Sequence, residues 1–449
     1  MNRTHDFTLP EALIKTIQHF VPELCPAMAQ VGDRRDPTRI VYPIEEELLV
    51  GILMFIVKTN SRRNIKYKLG TSPVFVKNIQ CIGKHFYPKK NSFPDSLLHG
   101  DTLNYGLKGV PPQDLHALRV LLINSLVRKR CLEGFRLLNT TYTISVDGTG
   151  CLTFATRHCD HCLTKTHEGK TLYYYHPVLE AKLTLGNVFA FSIATEFIEN
   201  ESQNVSKQDC ELKAFYRLTQ RLKADFPQLP ICLLLDGLYA AEPVFKICEQ
   251  NRWRYLITFK EGSMPATFKE YEALKKLAPG QETTLLHPQQ GWQRTYRWVN
   301  EIDYEGHTLN VLECAEQWKN DSGKNKRFVY LSSFLIEDKN APTLTQGGRN
   351  RWTIENSFNM QKNGGYGLEH AFSKSNVAMK NFYILMQIAH TFNQLMEKGS
   401  LLRERIRLTM GSLSVFSQKM WAALTETLID ANRLRRILAQ RVQIRFDTS

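Results

Sequence analysis

One short segment limits the folds open to this chain more than any other. Residues 231–235, Ile-Cys-Leu-Leu-Leu, are apolar without interruption, and Asp236 and Gly237 follow them directly. A strand with one solvated face alternates apolar and polar residues, whereas a strand covered on both faces is apolar throughout. The segment therefore predicts a central strand in a sheet that is packed on both faces, with Asp236 at its carboxyl end.

The segments around this strand predict an ordered series of strands and helices. Residues 141–150 alternate like a strand, and they place Asp147 directly before a Gly-Thr-Gly turn. Two further β-rich segments, 171–185 and 188–198, suggest an antiparallel set of three strands. The apolar residues of 211–226 recur at helical spacing and predict a helix. After the central strand, a second helix over 243–251 and a fifth strand over 253–259 are predicted.

A third carboxylate lies far downstream, on a predicted helix within residues 349–370. Arg351, Glu355 and Lys362 are spaced so that, at about 100° per residue, they share one helix face. Asp147, Asp236 and Glu355 together supply the hard oxygen ligands that Mg²⁺ requires. Two such ions can activate a nucleophile and stabilise the leaving oxygen of a phosphodiester. The three residues therefore form a candidate divalent-metal site.

These residues resemble a known family, the DDE transposases of bacterial insertion sequences. One large group of that family surrounds its glutamate with the pattern Y-x2-R-x3-E-x6-K, and Arg351, Glu355 and Lys362 match its last three members. Gly348 stands at the tyrosine position, which is a departure from the pattern. The resemblance extends over about residues 142–390.

The resemblance implies an α/β fold with an RNase H-like mixed sheet and flanking helices. It implies that Asp147, Asp236 and Glu355 are both the catalytic residues and the ligands of Mg²⁺ ions, with Mn²⁺ as a substitute. The expected reaction is DNA cleavage followed by strand transfer, performed by a homodimer on double-stranded element ends and target DNA. Arg351 and Lys362 would bind DNA phosphates, and ion pairs with Glu355 are the alternative for both cations.

The interval between Asp236 and Glu355 is too long for the rest of such a core. Residues 283–335 are rich in Thr, Val, Tyr and Trp, with turns at 304–306 and 321–323, and they predict a β-rich insertion over 263–344. The expected organisation is a helical N-terminal section for DNA-end recognition (1–138), a catalytic core (139–262 and 345–400), this insertion (263–344) and a basic helical tail (401–449).

Two tryptophans of the insertion are candidate DNA contacts. Trp292 and Trp298 alternate with Arg294 and Arg297. In related transposases the insertion shapes the transposon end and can supply an aromatic ring that stacks on a flipped base, and such a pattern suits stacking plus phosphate contact. The alternative is an amphipathic strand whose tryptophans pack on the core.

The charge of the chain favours a polyanionic partner. The chain has 58 Lys and Arg against 44 Asp and Glu, a formal net charge of +14. Neutralisation of phosphates with release of counterions drives nucleic-acid binding, although many basic proteins bind no nucleic acid. The longest apolar run, residues 48–57, is too short to cross a bilayer, and no signal peptide is evident at the N-terminus. We therefore expect a bacterial cytoplasmic, nucleoid-associated protein without membrane contact.

A second candidate metal site follows the first predicted catalytic strand. Residues 158–167 contain a Cys-x2-Cys pair, Cys159 and Cys162, with His158, His161 and His167 nearby. Such a set is a candidate Zn²⁺ site, and a polar loop is the alternative. His176 and Glu196 fall on predicted core strands and are candidates for reaching the carboxylate site.

Two other functions fit parts of the same evidence. An RNase H-like DNA nuclease or resolvase would use the same carboxylates but would need neither an end-recognition section nor a β-rich insertion. A non-catalytic DNA-binding derivative would tolerate the glycine at position 348, although the presence of Asp147, Asp236 and Glu355 argues against a decayed site.

Overall fold

The fold is α/β, with one mixed, mostly antiparallel sheet and flanking helices. The computed structural model describes residues 7–88, 93–287, 291–318 and 322–447. The strands of its ten-stranded sheet are β1 (Tyr142–Phe154), β2 (Leu163–His167), β3 (Lys170–Leu185), β4 (Phe189–Phe197), β5 (Ile231–Leu235), β6 (Arg254–Thr258), β7 (Glu282–His287), β8 (Trp292–Tyr304), β9 (His307–Trp318) and β10 (Lys326–Ser332).

The helices cover both ends of the chain and the segments between strands. In chain order they are α1 (Leu9–Phe20), α2 (Leu24–Met28), α3 (Ile44–Ile56), α4 (Pro73–Phe86), α5 (Gly100–Gly109), α6 (Pro112–Arg128), α7 (Glu211–Asp225), α8 (Glu242–Asn251), α9 (Pro265–Leu277), α10 (Ala341–Arg349), α11 (Trp352–Asn363), α12 (Asn376–Lys398), α13 (Arg403–Thr409), α14 (Leu413–Glu426) and α15 (Ala431–Ala439).

The apolar segment β5 lies inside the sheet, as its sequence predicts. It pairs in parallel with β1 on one side and with β6 on the other, and all of its side chains are buried. The antiparallel set is also confirmed, since β3 pairs with β1 and with β4. The strand β2 was not predicted; it pairs with the first half of β3, on the same side of β3 as β4.

The two faces of the sheet pack against different helices, and Glu180 and Lys182, two residues apart on β3, lie on the same face. Glu180 accepts a hydrogen bond from Tyr383 of α12, and Lys182 donates one to Ser357 of α11. On the neighbouring strand β1, Gly148 approaches Glu211 of α7. The sheet therefore has helices on both faces, which is the environment that a fully apolar strand such as β5 requires.

The helix α12 joins the N-terminal section to the sheet. It is apolar on most of its surface and buried along nearly its whole length, between β4 and the helices α1, α3, α5 and α6. Asn381 of α12 donates hydrogen bonds to the carbonyl oxygens of Leu107 and Val110, at 2.8 Å each. The predicted helical character of residues 1–138 is confirmed for its described part, and these helices pack directly on the core.

The predicted insertion extends the central sheet. Its strand β10 pairs with β6, and β9, β8 and β7 follow in antiparallel order. The β-rich prediction is correct from β7 onward, but the segment begins with the helix α9. The turn predicted at 304–306 joins β8 to β9, with Glu305 and Gly306 at positive φ. Asp321 of the other predicted turn lies outside the described residues.

The basic tail returns to the N-terminal helices. Lys15 of α1 donates hydrogen bonds to the carbonyl oxygens of Leu438 (2.8 Å) and Gln440 (2.6 Å), and Arg433 of α15 forms a 2.8 Å ion pair with Glu11. The tail is helical, as predicted, and part of its positive charge is paired with carboxylates of the same molecule. Among the described residues, the helices are too short or too polar to span a membrane.

Candidate active site at the ends of the central strands

The pairing of two strands brings the two predicted aspartates together. The strands β1 and β5 run parallel, with Ser145 opposite Leu234. Two residues further along each strand, the same register places Asp147 opposite Asp236. Because β5 ends at Leu235, Asp236 opens a short 3₁₀ turn and accepts a 2.9 Å hydrogen bond from the Leu238 N–H. Both carboxylates thus stand at one edge of the apolar core.

An arginine connects the third carboxylate to the first. Arg351 stands at the N-cap of α11, one residue before the helix in which the sequence placed it. Its guanidinium lies 2.5 Å from Glu355 Oε1 and 3.9 Å from Asp147 Oδ2. The structure therefore brings Asp147, Asp236 and Glu355 to one place, as the sequence predicts.

The pKa of Asp147 reflects both its burial and the carboxylates around it. The pKa of Asp147 is raised from its ordinary 3.8 to about 6, first by burial and then by the negative charges of Glu355, Glu211 and Asp236. The Arg351 guanidinium opposes this rise but does not cancel it. A divalent cation would neutralise the remaining repulsion, and carboxylate oxygens are the ligands that Mg²⁺ and Mn²⁺ prefer. The residues present therefore fit the predicted ion.

A fourth carboxylate, Glu211, belongs to the same cluster and was missed in the sequence. It is the first residue of α7, and its Oε1 accepts a 2.7 Å hydrogen bond from the Tyr239 hydroxyl. A Cβ on Gly148 would lie 2.7 Å from Glu211 Oε2, so the glycine beside Asp147 allows this approach. An acidic residue in a first helical turn is common for dipole reasons alone, which is why the sequence gave no distinct signal.

The departure at Gly348 also has a structural reason. A Cβ at position 348 would lie 2.5 Å from Cε1 of Tyr330, a buried residue of β10. The ring of Tyr330 thus occupies the space beside the backbone of residue 348. Tyr330 of β10 therefore stands next to the position on α10 where the sequence pattern expects a tyrosine. This proximity depends on the pairing of β10 in the sheet, which the sequence does not show.

A basic and aromatic cleft extends from the carboxylates. It encloses about 1110 Å³ and is lined by Asp236, Lys260, Arg327, Arg351 and Trp352, among others. Trp352 is 58% exposed, and the Arg351 guanidinium lies 5.4 Å from its ring centroid. Exposure of a large aromatic ring beside a cation is typical of surfaces that bind nucleic-acid bases. Trp352 was not singled out in the sequence, because one tryptophan at a helix start is compatible with packing.

The second predicted phosphate contact, Lys362, has a different partner. Its ammonium lies 2.9 Å from Glu369 Oε1, beyond the end of α11. The ion-pair alternative with Glu355 is thus confirmed for Arg351 and wrong for Lys362. Glu196, considered for the carboxylate site, instead pairs with Arg217 and Arg221 of α7.

The two candidate tryptophans, Trp292 and Trp298, are buried in β8. The Arg294 guanidinium lies 4.0 Å from the Trp292 ring centroid and 2.7 Å from a Glu316 carboxylate oxygen. Trp298 packs in a separate apolar cluster that includes Leu312. These positions agree with the packing alternative, and base stacking by Trp292 or Trp298 stays a prediction that requires a ring to become exposed.

A buried lysine positions the helix that carries Glu355. Lys182 of β3 is fully buried and donates hydrogen bonds to Ser357 Oγ (2.7 Å) and Gln361 Oε1 (3.3 Å). Burial lowers its pKa to about 8. Since β3 pairs with β1, Lys182 connects α11 to the strand beside Asp147 and fixes the helix against the sheet.

Comparison of the chain with protein-family models gives no match, and neither does comparison with curated proteins. The assignment of function therefore depends on the geometry of the site.

Proposed function

We propose that this protein is a DDE transposase, which cleaves DNA at the ends of an insertion sequence and joins those ends to target DNA. The observation that carries the proposal is the meeting of Asp147, Asp236 and Glu355 through the parallel β1–β5 register and the Arg351 contacts. The sheet order β4-β3-β1-β5-β6, with the first three strands antiparallel, is compatible with the RNase H-like core that the family uses.

Each residue of the cluster has a role in the proposed reaction. Asp147, Asp236 and Glu355 would hold Mg²⁺ or Mn²⁺, with Glu211 close enough to add an oxygen. The bound ions would supply an activated nucleophile and stabilise the leaving oxygen. Arg351 orients Glu355 toward Asp147, and Lys182 fixes the helix that carries Glu355.

The surface around the cluster supports DNA as the substrate. Lys260, Arg351 and Trp352 line the cleft beside Asp236, where they would contact phosphates and bases. In the N-terminal section, Tyr67 is 55% exposed and lies 5.5 Å from the Arg63 guanidinium and 5.6 Å from the Lys66 ammonium. The whole chain carries a net charge of +14, and this section is our candidate for recognition of element ends by a homodimer.

The test is Mg²⁺-dependent cleavage of supercoiled DNA that carries the element's own flanking ends. We expect the wild type to cut at those ends and Asp236→Ala to abolish cutting. Asp303→Asn, a change at an exposed carboxylate of β8, is the matched control and should cut normally.

Two other results would replace the proposal. Cutting that depends on Asp236 but ignores the ends would identify a nuclease. Tight binding of the ends by a folded wild type, without cutting in Mg²⁺ or Mn²⁺, would identify a non-catalytic DNA-binding protein.

A further inference from the structure

A second group of metal-ligating side chains lies where the loop between β1 and β2 meets β3, apart from the carboxylates. His158, Cys159 and Cys162 come from the loop between β1 and β2, and His176 comes from β3. One ligand atom from each of the four lies within 4.8 Å of the other three. The carboxylate cluster has only oxygen donors, whereas this group has two sulfurs and two imidazole nitrogens.

Four of the six separations between these atoms match a tetrahedral site, and the other two are at most 4.8 Å. Cys159 Sγ lies 3.4 Å from Cys162 Sγ and 3.4 Å from His176 Nε2, and Cys162 Sγ lies 3.3 Å from His176 Nε2 and 3.4 Å from His158 Nδ1. A tetrahedral Zn²⁺ with ordinary Zn–S and Zn–N bonds separates its ligand atoms by about 3.3–3.8 Å. A disulfide would instead bring the two sulfurs to about 2.0 Å, so the pair is not oxidised.

The fold builds this arrangement by turning β3 back over the loop between β1 and β2, so that His176 lies beside cysteines 14 and 17 residues before it. On the outer side of β3, pairing with β2 ends at Tyr175 and pairing with β4 begins at Val178. His176 lies in the gap between them, and the cysteine loop covers it. Cys162 and His176 are 0% and 2% exposed, whereas His158 and Cys159 are half-buried, so the group is closed to water on the side of Cys162 and His176.

Hydrogen bonds hold the loop in place independently of the four ligand atoms. Asn200, just after β4, donates from Nδ2 to the Cys162 carbonyl oxygen (3.1 Å), and its own carbonyl oxygen lies 2.9 Å from His161 Nδ1. His161 is therefore engaged outside the cluster, and the exposed His167 lies on β2, away from it. The ligand set predicted from the loop alone was wrong in these two residues and lacked His176.

We propose that His158, Cys159, Cys162 and His176 bind one Zn²⁺ ion in a closed structural site. Thiolate and imidazole ligands select zinc over Mg²⁺, and four protein ligands leave no open position for catalysis. The ion ties the loop after β1 to β3, where Leu152 pairs with His176, and so fixes the far end of the strand that carries Asp147. This inference is independent of the proposed reaction.

The first experiment measures metal in the full-length chain purified without chelators. We expect one zinc ion per chain by elemental analysis. Cys162→Ser and His176→Ala should each lose the ion, whereas Cys210→Ser, at an exposed cysteine outside the cluster, should retain it. Retention of stoichiometric zinc by both ligand variants would overturn the proposal.

A second measurement uses only the wild type, in case the ligand variants do not fold. The chain is unfolded with a chelator, refolded with Co²⁺ in place of zinc, and examined by visible and near-ultraviolet absorption. The proposal expects the intense bands of tetrahedral Co²⁺ together with thiolate-to-cobalt charge transfer. A folded wild type that takes up neither zinc nor Co²⁺, or that isolates with a Cys159–Cys162 disulfide under non-reducing mass spectrometry, would refute a zinc site.

Discussion

The two candidate metal sites both adjoin β1 but have opposite physical characters. The carboxylate site lies at the edge of the sheet, and it opens into a cleft beside Asp236. Its acidic groups repel one another, which raises the pKa of Asp147 to about 6. The cysteine–histidine site is closed on the side of Cys162 and His176, and its ligand atoms are two sulfurs and two imidazole nitrogens.

This difference separates a reactive site from a structural one. An open group of hard ligands leaves room for a substrate and tolerates electrostatic strain that only a cation relieves. A closed group of four soft ligands satisfies every coordination position of zinc and contributes to folding instead. Strand β1 can therefore adjoin both sites, and we expect substitutions at one site to leave the other unchanged.

The largest expected effect separates the sites by activity. Asp236→Asn should reduce end cleavage by about 10³-fold or more, because it removes one ligand charge from a cluster that acts as a unit. The zinc content should stay at one ion per chain, since the variant leaves the cysteine loop unchanged. Cleavage assays and elemental analysis on the same preparation check both parts, and loss of zinc in this variant would show that the sites are not separate.

A second prediction concerns stability and pH in the metal-free carboxylate site. The folded pKa of Asp147, about 6, exceeds its ordinary value of 3.8, so between these pH values the folded state binds more protons than the unfolded state. Stability should therefore fall as pH rises through this window. Asp147→Asn should remove this loss and stabilise the metal-free protein at pH 8 by up to about 3 kcal/mol, while abolishing cleavage.

Denaturant unfolding at pH 4 and pH 8, in buffer without added Mg²⁺ or Mn²⁺, measures this effect. Asp303→Asn is the control and should unfold like the wild type at both pH values. Equal stability of Asp147→Asn and wild type at pH 8 would show that Asp147 is not under electrostatic strain.

An intermediate effect is expected at Glu211. Glu211→Gln should raise the Mg²⁺ concentration needed for half-maximal cleavage by about 10–100-fold, the loss of metal affinity typical of residues that support metal ligands. The hydrogen bond from Tyr239 can be kept by glutamine, so the fold should be retained. Glu270→Gln, at an exposed glutamate of α9, is the matched control. An unchanged Mg²⁺ requirement would remove Glu211 from the site.

The smallest effect is expected in the cleft. Trp352→Ala should weaken DNA binding by about 1–2 kcal/mol, or roughly tenfold, because one exposed stacking surface is lost. Trp298→Ala should instead lower the free energy of unfolding, since Trp298 is buried in an apolar cluster. Fluorescence anisotropy with element-end DNA, together with thermal unfolding, distinguishes the two. If Trp298→Ala instead weakened DNA binding and Trp352→Ala left it unchanged, the prediction that Trp298 stacks on a base would be supported.

The local elements were accessible from sequence because their signals are local. The unbroken apolar run at β5 predicted a central strand, and the spacing of apolar residues predicted α7. Burial of one face or both imposes a period on neighbouring residues, and that period can be read without knowledge of the rest of the chain. Asp147, Asp236 and Glu355 were found for the same reason, since each adjoins such an element.

The contacts between these elements were decided by the tertiary structure alone. The β1–β5 register set Asp147 opposite Asp236, the insertion put Tyr330 beside Gly348, and β3 brought His176 to the cysteine loop. Lys362 pairs with Glu369 because the chain after α11 brings the Glu369 carboxylate to 2.9 Å from the Lys362 ammonium. Such pairs join residues whose own neighbours in sequence carry no trace of the partner. The sequence by itself determined which strands and helices form and which carry the carboxylates, and the packing of distant segments decided which side chains share a site.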